Sequence, residues 1–112
     1  MEAIKGYLHY EPDMHFTQYG KAVTTFTLYE LSPYEMGNGY KYKVVTWEEL
    51  AEHCFKYLVE ADYVYAKGYW KARSWRKKDT NELVTVNEFT AHQIIIDNLD
   101  GSFTNIKDKQ EE

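Results

Sequence analysis

Between Asp62 and Trp75 the chain interleaves rings, small residues and cations around one glycine, Gly68, and the run reads as a β-strand that bulges or bends at that glycine. Successive side chains of a strand point to opposite faces. Val64, Ala66, Gly68, Trp70 and Ala72 therefore share one face, and Tyr65, Lys67, Tyr69, Lys71, Arg73 and Trp75 the other. The first set is expected to be core, Trp70 included. The second is rings and cations, a mixture a core does not hold.

The other segments show what this strand pairs with. Ala3–His9 reads as a first strand that stops at the loop Glu11-Pro12-Asp13, and Ala22–Leu31 as a longer second strand after the Tyr19-Gly20 turn. Ser32-Pro33 and Met36–Gly39 are loop chemistry, followed by a third strand, Tyr40–Thr46. Thr46-Trp47-Glu48-Glu49 has the form of a capping box, predicting a helix of about three turns with Leu50, Ala51, Cys54, Phe55 and Leu58 on its apolar face. Beyond the Asp62–Trp75 strand, Arg76–Asn81 is a polar connector and Leu83–Ile96 a fifth strand. Three strands, one helix and two strands predict an all-β domain with one helix. The expected architecture is a five-stranded Greek-key OB-fold barrel over residues 1–97, its helix between the third and fourth strands. Residues 98–112 are polar and are expected to form a flexible tail.

Composition narrows the function. A chain of 112 residues holds one domain. No segment approaches the roughly 18 apolar residues of a membrane span, and Met1–Gly6 lacks the apolar core of a signal peptide, so a cytoplasmic setting is expected. The single cysteine, Cys54, falls on the helix's apolar face and reads as a small buried hydrophobe. His9, His15, His53 and His92 lack metal-site spacing, and Glu48, Glu49 and Glu52 are explained by helix solvation and the helix dipole. No catalytic residue, metal or cofactor is expected, and a metal-assisted nuclease is disfavoured.

Aromatic residues make up 17% of the chain, more than a small core buries, so some rings must face outward. The net charge of −5 opposes polyanion binding only if the charge is spread evenly. It is not: Lys67, Lys71, Arg73, Arg76, Lys77 and Lys78 follow one another with no acidic residue among them. The third strand and its junction repeat the mixture with Tyr40, Tyr42 and Trp47 beside Lys41 and Lys43. Unpaired bases stack on aromatic rings at about 1–3 kcal/mol each while cations neutralise phosphates. The plain alternative for such a pattern is a solvated sheet face.

Four blocks in register carry a family resemblance: Gly6–Asp13, Tyr19–Leu28, Val44–Glu52 and Gly68–Trp75. With the helix in the matching place, the chain resembles the bacterial-type single-stranded DNA-binding proteins from Ile4 to Ile96. The resemblance implies sequence-tolerant binding and protection of single-stranded DNA in replication, recombination or repair, a nucleoid-associated location, and a homo-oligomer, usually a tetramer, with a dimer as the other possibility. It implies stacking roles for Trp75, Trp47 and Tyr34, and phosphate contacts for Lys43, Lys71 and Arg73. The alternating face and the basic run add Tyr69, Lys67 and Lys77, and Tyr40 joins them beside Lys41, where many members carry a stacking tryptophan. Ala61 replaces a usual glycine after the helix, and Gln110-Glu111-Glu112 is not the family's acidic Pro-Phe tip, so partner docking through such a tip is not carried over. An OB module for replication restart or protein docking, with weak strand affinity, is the alternative reading.

Overall fold

The computed structural model describes residues 1–31 and 39–110. Its elements are β1 (Glu2–Leu8), β2 (Asp13–Phe16), β3 (Ala22–Tyr29), β4 (Lys41–Trp47), α1 (Glu48–Tyr57), β5 (Tyr63–Arg76), β6 (Leu83–Asp97), β7 (Phe103–Asn105) and a 3-10 turn at Ile106–Asp108. The sheet runs β1-β5-β6-β4-β3-β2, and β1 also pairs with β3 through Tyr7–Tyr29 and Leu8–Leu28, which closes it. The β4–β6 pairing is parallel and the others are antiparallel. The closed set β1, β3, β4, β5 and β6, with α1 between β4 and β5, is the OB arrangement expected from the order of elements.

Alternation fills the barrel. Phe26 and Leu28 of β3, Val44 of β4, Val64 and Ala66 of β5, and Phe89, Ile94 and Ile96 of β6 form one buried cluster with Leu8. Leu50, Cys54 and Leu58 join it from α1, whereas Phe55, expected on the same apolar face, is exposed. One buried hydroxyl ties the helix to the sheet, Thr24 Oγ1 donating to Ala51 O at 2.7 Å, and a second ties β4 to β3, Thr46 Oγ1 donating to Thr24 O at 2.9 Å. Each satisfies a group that burial would otherwise leave unpaired. Among the described residues no helix is long and apolar enough to cross a membrane.

Three local expectations are corrected. Thr46 does not cap α1: it stays in β4 with its hydroxyl on Thr24, the N-cap is Trp47 with no side-chain bond, and Glu48 takes φ 57° to turn the chain into the helix. The loop after β1 contains β2, which pairs with β3 across a turn closed at Gly20, φ 80°; Pro12 ends one ladder but leaves the amides from Asp13 onward free for another. The segment after residue 97 is not simply a tail. β7 pairs Phe103–Asn105 with Ile95–Asp97, and Ile106 is fully buried in the core. One apolar side chain behind a turn at Asn98–Ser102 anchors a stretch whose average composition is polar.

The bulge expected around Gly68 is present, and its extra residue lies on the partner strand. Lys67 pairs with Gln93 and Gly68 with Ala91, so His92 of β6 has no opposite number. The parity of β5 itself is unbroken.

Candidate nucleic-acid interface

Past the bulge β5 and β6 run on together; Phe89 and Thr90 still pair with β4, and from Ala72 to Asn87 the two strands form an arm in which no residue is buried. Their register opposes Tyr69 to Thr90, Lys71 to Glu88, Arg73 to Val86 and Trp75 to Val84. One face of β5 past the bulge is therefore Tyr69, Lys71, Arg73 and Trp75, the ring-and-cation set read from parity. β4 extends that face. Because Val44 pairs with the core residue Phe89, the flanking Lys43 and Glu88 meet on the outer side, with Lys43 Nζ 3.0 Å from Glu88 Oε2. Trp47, two alternations further along β4, falls on the same side.

Glu88 organises the centre of this face. Arg73 donates to it through Nε at 2.8 Å and Nη2 at 3.3 Å, a two-pronged pair, while Lys43 approaches the second oxygen. Glu88 is 8% exposed, and the hydrogen bonds from Arg73 hold its carboxyl below the usual glutamate range, with Lys43 adding to the effect and burial opposing it. The same pairing raises the Arg73 guanidinium. Arg73 also lies over the Trp75 ring, its guanidinium carbon 4.6 Å from the ring centre.

Alongside, a groove of about 560 Å³ runs between the start of α1 and β6. Trp47, Lys71 and His92 line it, with Lys21 and Lys107 bringing further positive charge and Glu48 and Glu49 partly balancing it. His92, freed by the bulge, meets Tyr69 edge to face at 5.8 Å.

The expected site residues divide accordingly. Trp47, Tyr69 and Trp75 share this face and are each 40–47% exposed. Lys43, Lys71 and Arg73 accompany them, Lys43 and Arg73 already bound to Glu88. Lys67 is exposed on the β1 side of the bulge, opposite Ala3, and Lys77 is exposed in the turn of the arm, where its amide donates to Glu82 O at 2.9 Å. Tyr40 is exposed but by parity belongs with Tyr42, not with Lys43 and Trp47. Tyr34 lies outside the described residues. Trp70 keeps its inward parity but is no core residue. It is 39% exposed because it sits one layer beyond the buried cluster, covering the end of the barrel against Phe89 at 5.2 Å and Tyr42 at 6.0 Å.

Sequence reading missed Glu88, Lys21, His92 and Lys107. Parity along β6 puts Glu88 among Val84, Val86 and Thr90, but its meeting with Lys43 depends on a parallel pairing between distant strands. Lys107 reaches the groove only because Ile106 brings the C-terminal segment back.

A closed barrel of this topology with rings and cations gathered on one outer face has the architecture of an OB fold. The single-strand binding protein family matches residues 3–100, and the chain belongs to that family. Single-stranded DNA-binding protein 1 of Chlorobaculum tepidum is 29% identical over 83 residues, covering 69% of this chain and 51% of the relative. The chain thus spans about half the length of this curated relative. A solved structure described as the Plasmodium falciparum SSB complex with ssDNA superposes with a TM-score of 0.71 at 20% identity, over 85% of this chain and 91% of that one. The two share the fold.

Proposed function

We propose that this chain binds single-stranded DNA with little sequence preference, holding and protecting the strand without cutting it. The observation that carries the reading is the shared face of Trp47, Tyr69 and Trp75 with Lys43, Lys71 and Arg73. Rings there offer π-surfaces that an unpaired base can use and a duplex base cannot, and the cations lie within a few residues of each ring. Lys67, just before the bulge, and Lys77, in the turn that follows β5, extend the positive path. Membership of the single-strand binding family and the named ligand of the related proteins support the same reading. Roles in replication, recombination or repair, a homo-oligomeric state of four or two chains, and a cytoplasmic, nucleoid-associated setting accompany it as what the family suggests.

The test is tryptophan fluorescence during titration with oligo(dT) at low and high salt, with duplex DNA as control. Salt-sensitive quenching by the single strand alone is expected. Absence of quenching overturns the reading in favour of a protein-docking OB module, and loss of intact oligonucleotide in magnesium overturns its non-catalytic part. Sedimentation at micromolar concentration tests the oligomeric state, a monomer being the contrary result.

A further inference from the structure

Glu88 stands out as an acid in the middle of a surface that has to attract phosphate. It is almost completely buried, yet both of its partners are half-exposed, with side-chain exposures of 48% for Lys43 and 53% for Arg73. Arg73 engages Glu88 through Nε and Nη2, which leaves Nη1 unused by this pair, and the Lys43 ammonium carries three donors of which the carboxylate takes one. Lys71, directly opposite Glu88 in the β5–β6 register, adds a third cation around the same acid. The carboxylate thus occupies, from below, the position between two cations that a phosphate would take from above.

We propose that Glu88 is a built-in counter-anion that competes with the DNA backbone for Lys43 and Arg73, lowering the affinity of the face while keeping its two cations in place. The inference rests on the single-strand reading above. Lys43, Arg73 and Glu88 together carry a net charge of +1, so the triad neutralises about one phosphate where two free cations would neutralise two. For single strands, each neutralised phosphate contributes about −0.7 to the slope of log K against log salt concentration.

The decisive measurement is that slope for oligo(dT) binding, in the parental protein and in Glu88→Gln. Glutamine keeps the shape and one acceptor for Arg73 but removes the charge. The expected result is tighter binding at low salt and a slope steeper by about 0.7, equivalent to an extra loss of affinity of about threefold between 50 and 200 mM salt. Glu88→Gln combined with Lys43→Gln returns the triad to +1 and should return the slope to its parental value, which a purely structural role for Glu88 does not predict. A folded Glu88→Gln protein with an unchanged or shallower slope overturns the proposal.

Should Glu88→Gln fail to fold, the carboxyl carbon resonance of Glu88 in the unaltered protein provides the reading: saturation with oligo(dT) should shift it, and an unmoved resonance overturns the proposal. If the parental protein binds no oligo(dT), the functional reading fails as well. If it binds and only the slope prediction fails, the role of Glu88 alone is lost.

Discussion

Arg73 bridges two very different neighbours: its guanidinium face lies 4.6 Å from the centre of the Trp75 ring while its edge is fastened to the carboxylate of Glu88. The ring is thereby held by a residue that is itself held, in a part of the molecule with no core beneath it. A side chain fixed before its ligand arrives loses less freedom on binding.

Removing the ring should weaken binding without disturbing the barrel. Trp75→Ala is expected to reduce oligo(dT) affinity by about 1–3 kcal/mol. Its change in thermal or urea stability should stay within about 0.5 kcal/mol, since the ring is a surface group away from the core. Unchanged affinity would remove Trp75 from the stacking set.

Gly68 is required by space. A Cβ at that position meets the carbonyl oxygen of Thr90 and comes within 2.9 Å of the Ala91 Cα, both backbone atoms of the bulged strand. Gly68→Ala must part β5 from β6, and a loss of stability of about 1–3 kcal/mol or more is expected in urea unfolding. A stability equal to the parent would mean that the bulge adapts freely.

Ala61 presents the opposite case, a residue where glycine would serve better. It sits at φ 75°, donating its amide to Leu8 O as the chain passes from α1 to β5. The left-handed conformation costs an ordinary residue roughly 1–2 kcal/mol. Glycine's extra freedom when unfolded offsets part of that, at about 0.5–1 kcal/mol. Ala61→Gly should therefore raise the urea midpoint by the equivalent of about 0.5–1 kcal/mol with an unchanged denaturant slope.

Ile106 tests whether the C-terminal segment belongs to the folded unit. It is fully buried among barrel and helix residues. Ile106→Ala should destabilise the protein by about 2–5 kcal/mol. A change under about 0.5 kcal/mol, the usual range for a surface position, would return the segment to the status of an appendage.

Cys54 gives a pH dependence of known sign. Burial pushes its thiol up to about 12, a hydrogen bond with Thr46 opposing the shift. An unfolded thiol titrates near 8.5. Between those values the unfolded chain sheds a proton that the folded protein keeps, so the stability associated with Cys54 is intact below about pH 8.5 and declines as pH rises toward the folded value. Cys54→Ala should lose less stability than the parent between pH 8 and 10. The native thiol should resist a disulfide reagent at pH 8 until denaturant is added, and immediate reaction would contradict its burial.

The barrel was legible in the sequence because each strand announces itself through local chemistry, such as the Ala22–Leu31 run and the rings and cations around Gly68. What escaped depends on distant partners. Thr46 has the right neighbours for a cap, but a buried carbonyl of Thr24 competes successfully for its hydroxyl. Trp70 has the parity of a core residue, yet parity does not tell where along the strand the barrel ends. The face that carries the rings and cations could be read from alternation alone because β5 keeps its phase, the extra residue of the bulge being His92 on β6. Glu88 was invisible for the complementary reason: an acid within an alternating strand gains its meaning only when β4 arrives beside it.

The arm formed by β5 and β6 beyond the bulge has a consequence for how this protein tolerates change. From Ala72 to Asn87 it rests on paired backbone and cross-strand contacts with no buried layer of its own. Its opening free energy is accordingly separate from that of the barrel, and its amides should exchange with solvent well before those of β3 or the first half of β5. Substitutions there should leave the melting curve where it was, which gives the arm room to vary independently of the fold that supports it.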